Sequence, residues 1–119
     1  MLDERERDCL RRYCELLAAR LGGNLVAVRM FGSAARGDMW PAGSPHHSDV
    51  DLLVVTREAV ADGLQEELLN ATYPLYLECG RQLSPAFFTE ARLAAPESGR
   101  TRELLAHVER DGVDVWSSP

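Results

Sequence analysis

Val28-Arg29-Met30-Phe31-Gly32-Ser33-Ala34-Ala35-Arg36-Gly37-Asp38, followed by Ser48-Asp49-Val50-Asp51-Leu52-Leu53-Val54-Val55, is the stretch from which the rest of the chain can be read. The run Leu25 to Phe31 reads as a buried strand that passes straight into Gly32-Ser33. Asp49 to Val55 reads as a second strand. Residues two apart in a strand project from one face, with Cα atoms roughly 7 Å apart, so the carboxylates of Asp49 and Asp51 can converge on one point. Beyond them the strand is wholly apolar, so it enters the core while its first residues stay at the rim. Two such acids repel each other unless a cation lies between them. Mg²⁺ suits the pair because it takes a few carboxylates together with water and phosphate oxygens. Glycine lets a backbone approach a phosphate closely, and the Ser33 hydroxyl and neighbouring N–H groups can donate to its oxygens. Arg36 can reach a phosphate or pair with Asp38. Taken singly, Asp-x-Asp is a solvated turn and Gly-Ser an ordinary one. Together they leave open a phosphate and metal pocket beside those simpler readings.

Working outward, residues 3 to about 21 carry Leu10, Cys14, Leu17 and Leu21 at helical spacing, stopped by Gly22-Gly23-Asn24. Residues 34 to 48 read as a loop whose second half, Trp40 to Ser48, is dense in turn formers. Thr56 is placed to cap a long helix to about Cys79, with Val60, Leu64, Leu68 and Leu75 on one face, a kink or a split at Pro74 and an end at Gly80. Leu83 to Thr89 reads as a third strand, and Pro85 puts it at an edge. A final helix is expected from about Ser98 to Asp111, then a short strand over Val113 to Trp116. The fold class expected is α+β, a small mixed sheet with helices packed mainly on one face.

A chain of 119 residues fits one domain, residues 1–119. At 45% hydrophobic and 27% charged residues it has the profile of a soluble globular protein. The formal net charge is −6, which excludes non-specific nucleic-acid binding driven by a basic surface. It is compatible with a nucleotide whose charge a metal balances. Cys9, Cys14 and Cys79, with no secretory context, read as free thiols, and the charged start Met1 to Asp8 is no signal peptide. No apolar run reaches membrane-spanning length. A cytoplasmic location is expected.

The joint pattern resembles the DNA polymerase beta-type nucleotidyltransferase superfamily, and within it the minimal nucleotidyltransferases (MNT) of prokaryotes. That family's hallmark is a strand, Gly-Ser-x-Ala-Arg-Gly-Asp, and then Ser-Asp-x-Asp-Leu-Leu-Val. The match is dense over residues 26 to 55 and looser after them. The resemblance implies a polymerase beta-like fold and specific roles. Gly32, Ser33 and Arg36 would hold the nucleotide's phosphates, while Asp49 and Asp51 would bind Mg²⁺ or Mn²⁺ and act in catalysis. The substrate would be a nucleoside triphosphate, with ATP expected, and its nucleoside monophosphate would pass to a hydroxyl. Two departures stand out. The stretch between Ser33 and Asp49 is longer than usual, with a surplus at Pro41 to His47 that includes His46 and His47. The strand Gln82 to Thr89 also lacks the third carboxylate that active members carry there; Glu78 and Glu90 only flank it.

Two functions fit. The first is an antitoxin-like nucleotidyltransferase working with a helical HEPN-type partner, some relatives modifying a partner tyrosine, or as a homo-oligomer. Trp40, Trp116 and Phe87-Phe88 could offer contact surface, although core packing suits most of them better. The second is a catalytically weak or inactive nucleotide-binding or scaffold subunit, which the missing acid favours. A free-standing antibiotic-resistance enzyme ranks third.

Overall fold

The computed structural model describes residues 2–32, 35 and 49–117. The expectations for Ser33, Arg36, Asp38, Trp40, His46 and His47 lie outside the described residues. The first helix, α1 (Glu4–Leu21), begins at a capping box: the Asp3 carboxylate accepts from the Glu6 N–H, and the Glu6 carboxylate accepts from the Asp3 N–H. Both contacts satisfy helix-end donors that would otherwise lack partners. Its buried stripe of Cys9, Leu10, Tyr13, Cys14, Leu17 and Leu21 follows the helical period. A 3-10 turn over Gly22–Asn24 leads into β1 (Leu25–Phe31), and the chain returns as β2 (Val50–Thr56).

The long helix expected after β2 is two helices, α2 (Asp62–Asn70) and α3 (Thr72–Cys79). Thr56 ends β2 instead of capping a helix, and its hydroxyl donates to the Glu58 carbonyl. The break falls at Ala71, ahead of Pro74. A proline ring clashes with the carbonyl four residues earlier, here that of Asn70, the last residue of α2. Pro74 then sits in the first turn of α3, where its missing N–H has no helical partner to lose. Gly80 ends α3 in the left-handed region, at φ 75°. Strand β3 (Leu83–Thr89) follows, then a short helix α4 (Glu90–Ala94) that periodicity did not reveal, α5 (Gly99–Asp111) and β4 (Val113–Ser117).

Among the described residues the strands form one sheet in the order β3-β2-β1-β4. Strand β3 runs parallel to β2, while β1 is antiparallel to both β2 and β4. Pro85 therefore lies on an edge strand, as expected. The fold is α+β with a mixed sheet. Alternation along β2 divides its side chains between two cores. Val50, Leu52 and Val54 join Leu10, Tyr13, Leu17, Leu68 and Leu75 under α1, α2 and α3. Leu53 and Val55 meet Val108, Leu104 and Leu93 on the opposite face, under α5 and α4. Phe87 packs against the first core, Phe88 against the second, and Trp116 against the first, so these aromatics serve packing.

A buried ion pair ties α1 to the entry of β3. The Arg81 guanidinium donates to the Glu6 carboxylate at 2.5 Å, and both side chains are 4% exposed. Next to it, Gln82 donates to the Thr72 hydroxyl at 2.9 Å.

Breaking a buried pair leaves a charge short of its partner and costs about 3 kcal/mol. Glu6→Ala is therefore expected to lower the denaturation midpoint by that amount of stability, the capping box going with it. Urea unfolding with unchanged slope would measure it. Burial also pushes the Cys9 and Cys14 thiols up to about 11. At pH 8 both should resist a thiol reagent in the native protein and react at once after denaturation.

Candidate active site

The two acids lie where β2 enters the sheet. Val50 between them is fully buried and points to the first core, so Asp51 points to the opposite face. Across the antiparallel ladder Asp51 is level with Phe31, and across the parallel ladder with Ser84. Laterally paired residues project from the same face, so Ser84 stands beside the acids. The level of the two strands is set at their start, where the Val50 N–H donates to the Gln82 carbonyl at 2.8 Å. The Ser84 hydroxyl then donates to Asp49 Oδ2 at 3.0 Å.

Gly32 closes the group. It follows Phe31 directly and has φ 72°, in the left-handed region that disfavours side chains. A Cβ added there would lie 2.6 Å from Asp51 Oδ2. No side-chain atom fits into that gap, so the backbone of the turn and the carboxylate of Asp51 share one small space. The fold thus brings Gly32 against Asp51 and Ser84 against Asp49, joining three stretches of the chain at one end of the sheet. Ser33 and Arg36 lie outside the described residues.

Asp49, Asp51 and Ser84 present oxygen atoms at a half-buried sheet end, with the Asp51 carboxylate held against the Gly32 turn. That donor chemistry suits Mg²⁺ or Mn²⁺ and suits neither a soft nor a strictly nitrogen-ligated metal. Among the described residues no group of three or more His, Cys, Asp or Glu could hold a metal. A cation here would complete its shell with water and a ligand's own oxygens.

The flanking acids point elsewhere. Glu78 is on α3 and pairs with Arg12 of α1 at 2.5 Å, on the helical side of the sheet. That hydrogen bond holds its carboxyl below the usual range. Glu90 starts α4, 3.8 Å from Arg57. It lies past the far end of β3, roughly 20 Å along the strand from Ser84 at ~3.3 Å per residue. Neither acid reaches Asp49. Ser84 escaped the reading of the sequence. The signal was there, a polar residue near the start of an otherwise apolar strand, but its meaning depends on the β2–β3 register.

A family model described as a nucleotidyltransferase domain matches residues 10–104. No curated protein sequence gives a significant match. Several solved structures share the fold at low identity. A toxin-antitoxin complex with AMP-PNP contains a chain of 17% identity and TM-score 0.59, over 91% of this chain and 73% of that one. The tri-AMPylated HEPN toxin of Shewanella oneidensis in complex with its MNT antitoxin gives 15% identity and TM-score 0.56, over 94% and 72%. Spectinomycin adenyltransferase from Enterococcus faecialis with ATP and spectinomycin gives 17% identity and TM-score 0.70, over 94% of this chain but only 56% of that enzyme.

The Gly32 contact makes a direct prediction. Gly32→Ala must either strain a left-handed residue, at about 1–2 kcal/mol, or displace Asp51. The variant is expected to lose about that much stability in chemical denaturation, and to bind Mn²⁺ in the presence of AMP-PNP at least tenfold more weakly by calorimetry. Wild-type affinity would show that the gap beside Asp51 is not used.

Proposed function

The chain belongs to the nucleotidyltransferase domain family, and on that premise we propose that residues 1–119 act as a single domain that binds a metal-complexed nucleoside triphosphate, ATP by preference, and transfers its nucleoside monophosphate to a hydroxyl. The observation that supports this reading is the approach of the Gly32 turn to the Asp51 carboxylate, with Asp49 two residues before it and in contact with Ser84. In this reading Asp49 and Asp51 hold Mg²⁺ or Mn²⁺. Gly32 gives the outer phosphates close access to the backbone, and Ser33 and Arg36 donate to them. The bound cation supplies charge stabilisation at the attacking and leaving oxygens. The acceptor oxygen forms a bond to the α-phosphorus while the bond from that phosphorus to the bridging oxygen breaks. The electron pair leaves with pyrophosphate, and the hydroxyl proton passes to a base or to water.

A weakly catalytic or scaffold subunit remains the second reading, and Ser84 favours it. Its hydroxyl, beside Asp49, is no base at neutral pH. Positioned general bases contribute roughly 10²–10⁴-fold, so transfer by the chain alone is expected to be slow.

The acceptor and partner are read from the surface and the likeness in fold. Leu69, Tyr73 and Leu77 are 39%, 60% and 64% exposed. Tyr73 and Leu77 are four apart and share one face of α3, and Leu69 is exposed near the end of α2. Such a surface suits a helical face, which a HEPN-type partner in the cytoplasm or a second copy of this chain would present. An antitoxin-like role follows if the partner is a HEPN toxin. No helix among the described residues is long and apolar enough to cross a membrane.

Two experiments test these assignments. Calorimetry should show nucleoside triphosphate binding only with Mg²⁺ or Mn²⁺. Asp49→Asn with Asp51→Asn should abolish it while the circular dichroism spectrum stays native, and equal affinity in that variant would remove the metal site. For the partner, the chain should co-purify with the product of the adjacent reading frame or sediment as an oligomer. Tyr73→Glu with Leu77→Glu should disrupt that assembly; an intact complex would place the contact elsewhere.

A further inference from the structure

We infer that Ser84 makes this a single-cation site: its hydroxyl positions Asp49 for one divalent ion and occupies the place from which a third carboxylate would hold a second. The inference rests on the nucleotidyltransferase reading above and specifies its metal content. Ser84 is level with Asp51 on the neighbouring parallel strand, so its Cβ is directed to the face that carries both acids. A carboxylate on that Cβ would join them. The residue there is instead a neutral hydroxyl, committed as a donor to Asp49 Oδ2 at 3.0 Å.

The chemistry of that contact decides the stoichiometry. A hydroxyl that donates its proton to Asp49 adds no negative charge to the site. Two cations in a two-metal site sit ~3.5–4 Å apart, where their mutual repulsion must be offset by bridging and flanking anions. Asp49 and Asp51 can do this for one ion with the triphosphate, but nothing on β3 anchors a second. Among the described residues no other acid comes near: Glu78 is held by Arg12 on the helical side of the sheet, and Glu90 lies beyond the far end of β3. The hydroxyl still has a use. It adds a hydrogen bond to a carboxylate that sits just outside the regular strand, where backbone pairing alone does not orient it. Outer contacts of this kind typically contribute 10–100-fold to metal affinity. Ser84 is thus a positioning residue that acts through Asp49.

The test counts metal ions. Equilibrium dialysis of the full chain saturated with AMP-PNP should give one Mn²⁺ per chain above the nucleotide-only control. Ser84→Ala should keep that stoichiometry but weaken Mn²⁺ binding about tenfold, with a native circular dichroism spectrum. Ser84→Thr retains the hydroxyl and should bind close to the wild type. Ser84→Asp should raise the count to two and speed transfer of labelled nucleoside monophosphate about 100-fold, the size of a general-base contribution. Two Mn²⁺ per wild-type chain, or unaltered affinity in Ser84→Ala, would overturn the inference and leave the nucleotidyltransferase reading standing. No Mn²⁺ bound by the wild type with AMP-PNP would overturn both. Should Ser84→Asp fail to fold, the wild-type count and the Ala and Thr affinities still decide.

Discussion

Strand β2 passes from two carboxylates to a core buried on both faces within three residues, and the molecule is organised around that change of surroundings. Asp49 and Asp51 are half-buried at the strand's start, while Leu52, Leu53, Val54 and Val55 are all buried. A central strand flanked by β1 and β3 achieves both, because its interior is covered while its first residues stay at the sheet's end. The same arrangement brings β1's exit, the Gly32 turn, to the acids from one side and β3's entry, with Ser84, from the other.

The support for the site reaches back into the main core. Glu6 caps α1 and also receives Arg81. Arg81 leads directly to Gln82, whose carbonyl accepts from Val50 and whose side chain holds Thr72. Ser84 and Asp49 meet one step further on. The start of α1, the start of α3 and the end of the sheet that carries the acids are therefore joined by a series of polar contacts, of which the Arg81–Glu6 pair is buried and the others are partly buried. Few of these groups can move without disturbing the next, which suits a site whose geometry must exist before its ligand arrives.

The two acids and the exposed apolar side chains lie on different parts of the fold. The acids face the side shared with α4 and α5, whereas the exposed Leu69, Tyr73 and Leu77 lie on the outer side of α2 and α3. Under the proposed function, a partner docked on those helices would leave the end of the sheet with the two acids open, so binding and transfer would not compete for one surface. The aromatics that looked most available in the sequence, Phe87, Phe88 and Trp116, are taken up in packing, with Phe88 also stacked under Arg92 at 4.6 Å. Hydrophobicity alone does not separate core from interface, because both bury the same residue types.

The sequence by itself determined what local physics controls. The capping residue Asp3 and the leucine spacing define α1, the apolar runs define β1 and β2, and the two-residue spacing puts Asp49 and Asp51 on one face next to Gly32 in the pattern. Pro85 assigned β3 to an edge because a missing N–H matters wherever the strand is paired. Tertiary structure decided the rest. The break at Ala71 depends on how Pro74 meets the carbonyl of Asn70 once α2 and α3 pack on the sheet. The second core under α4 and α5, the pairing of Glu6 with Arg81, and the seat of Ser84 beside Asp49 all join residues far apart in the chain. Periodicity records which face a residue occupies along its own strand, since the pleat is intrinsic to the backbone. It carries no record of which residue of another strand lies alongside, because register is set by long-range hydrogen bonds and by the packing of both faces together.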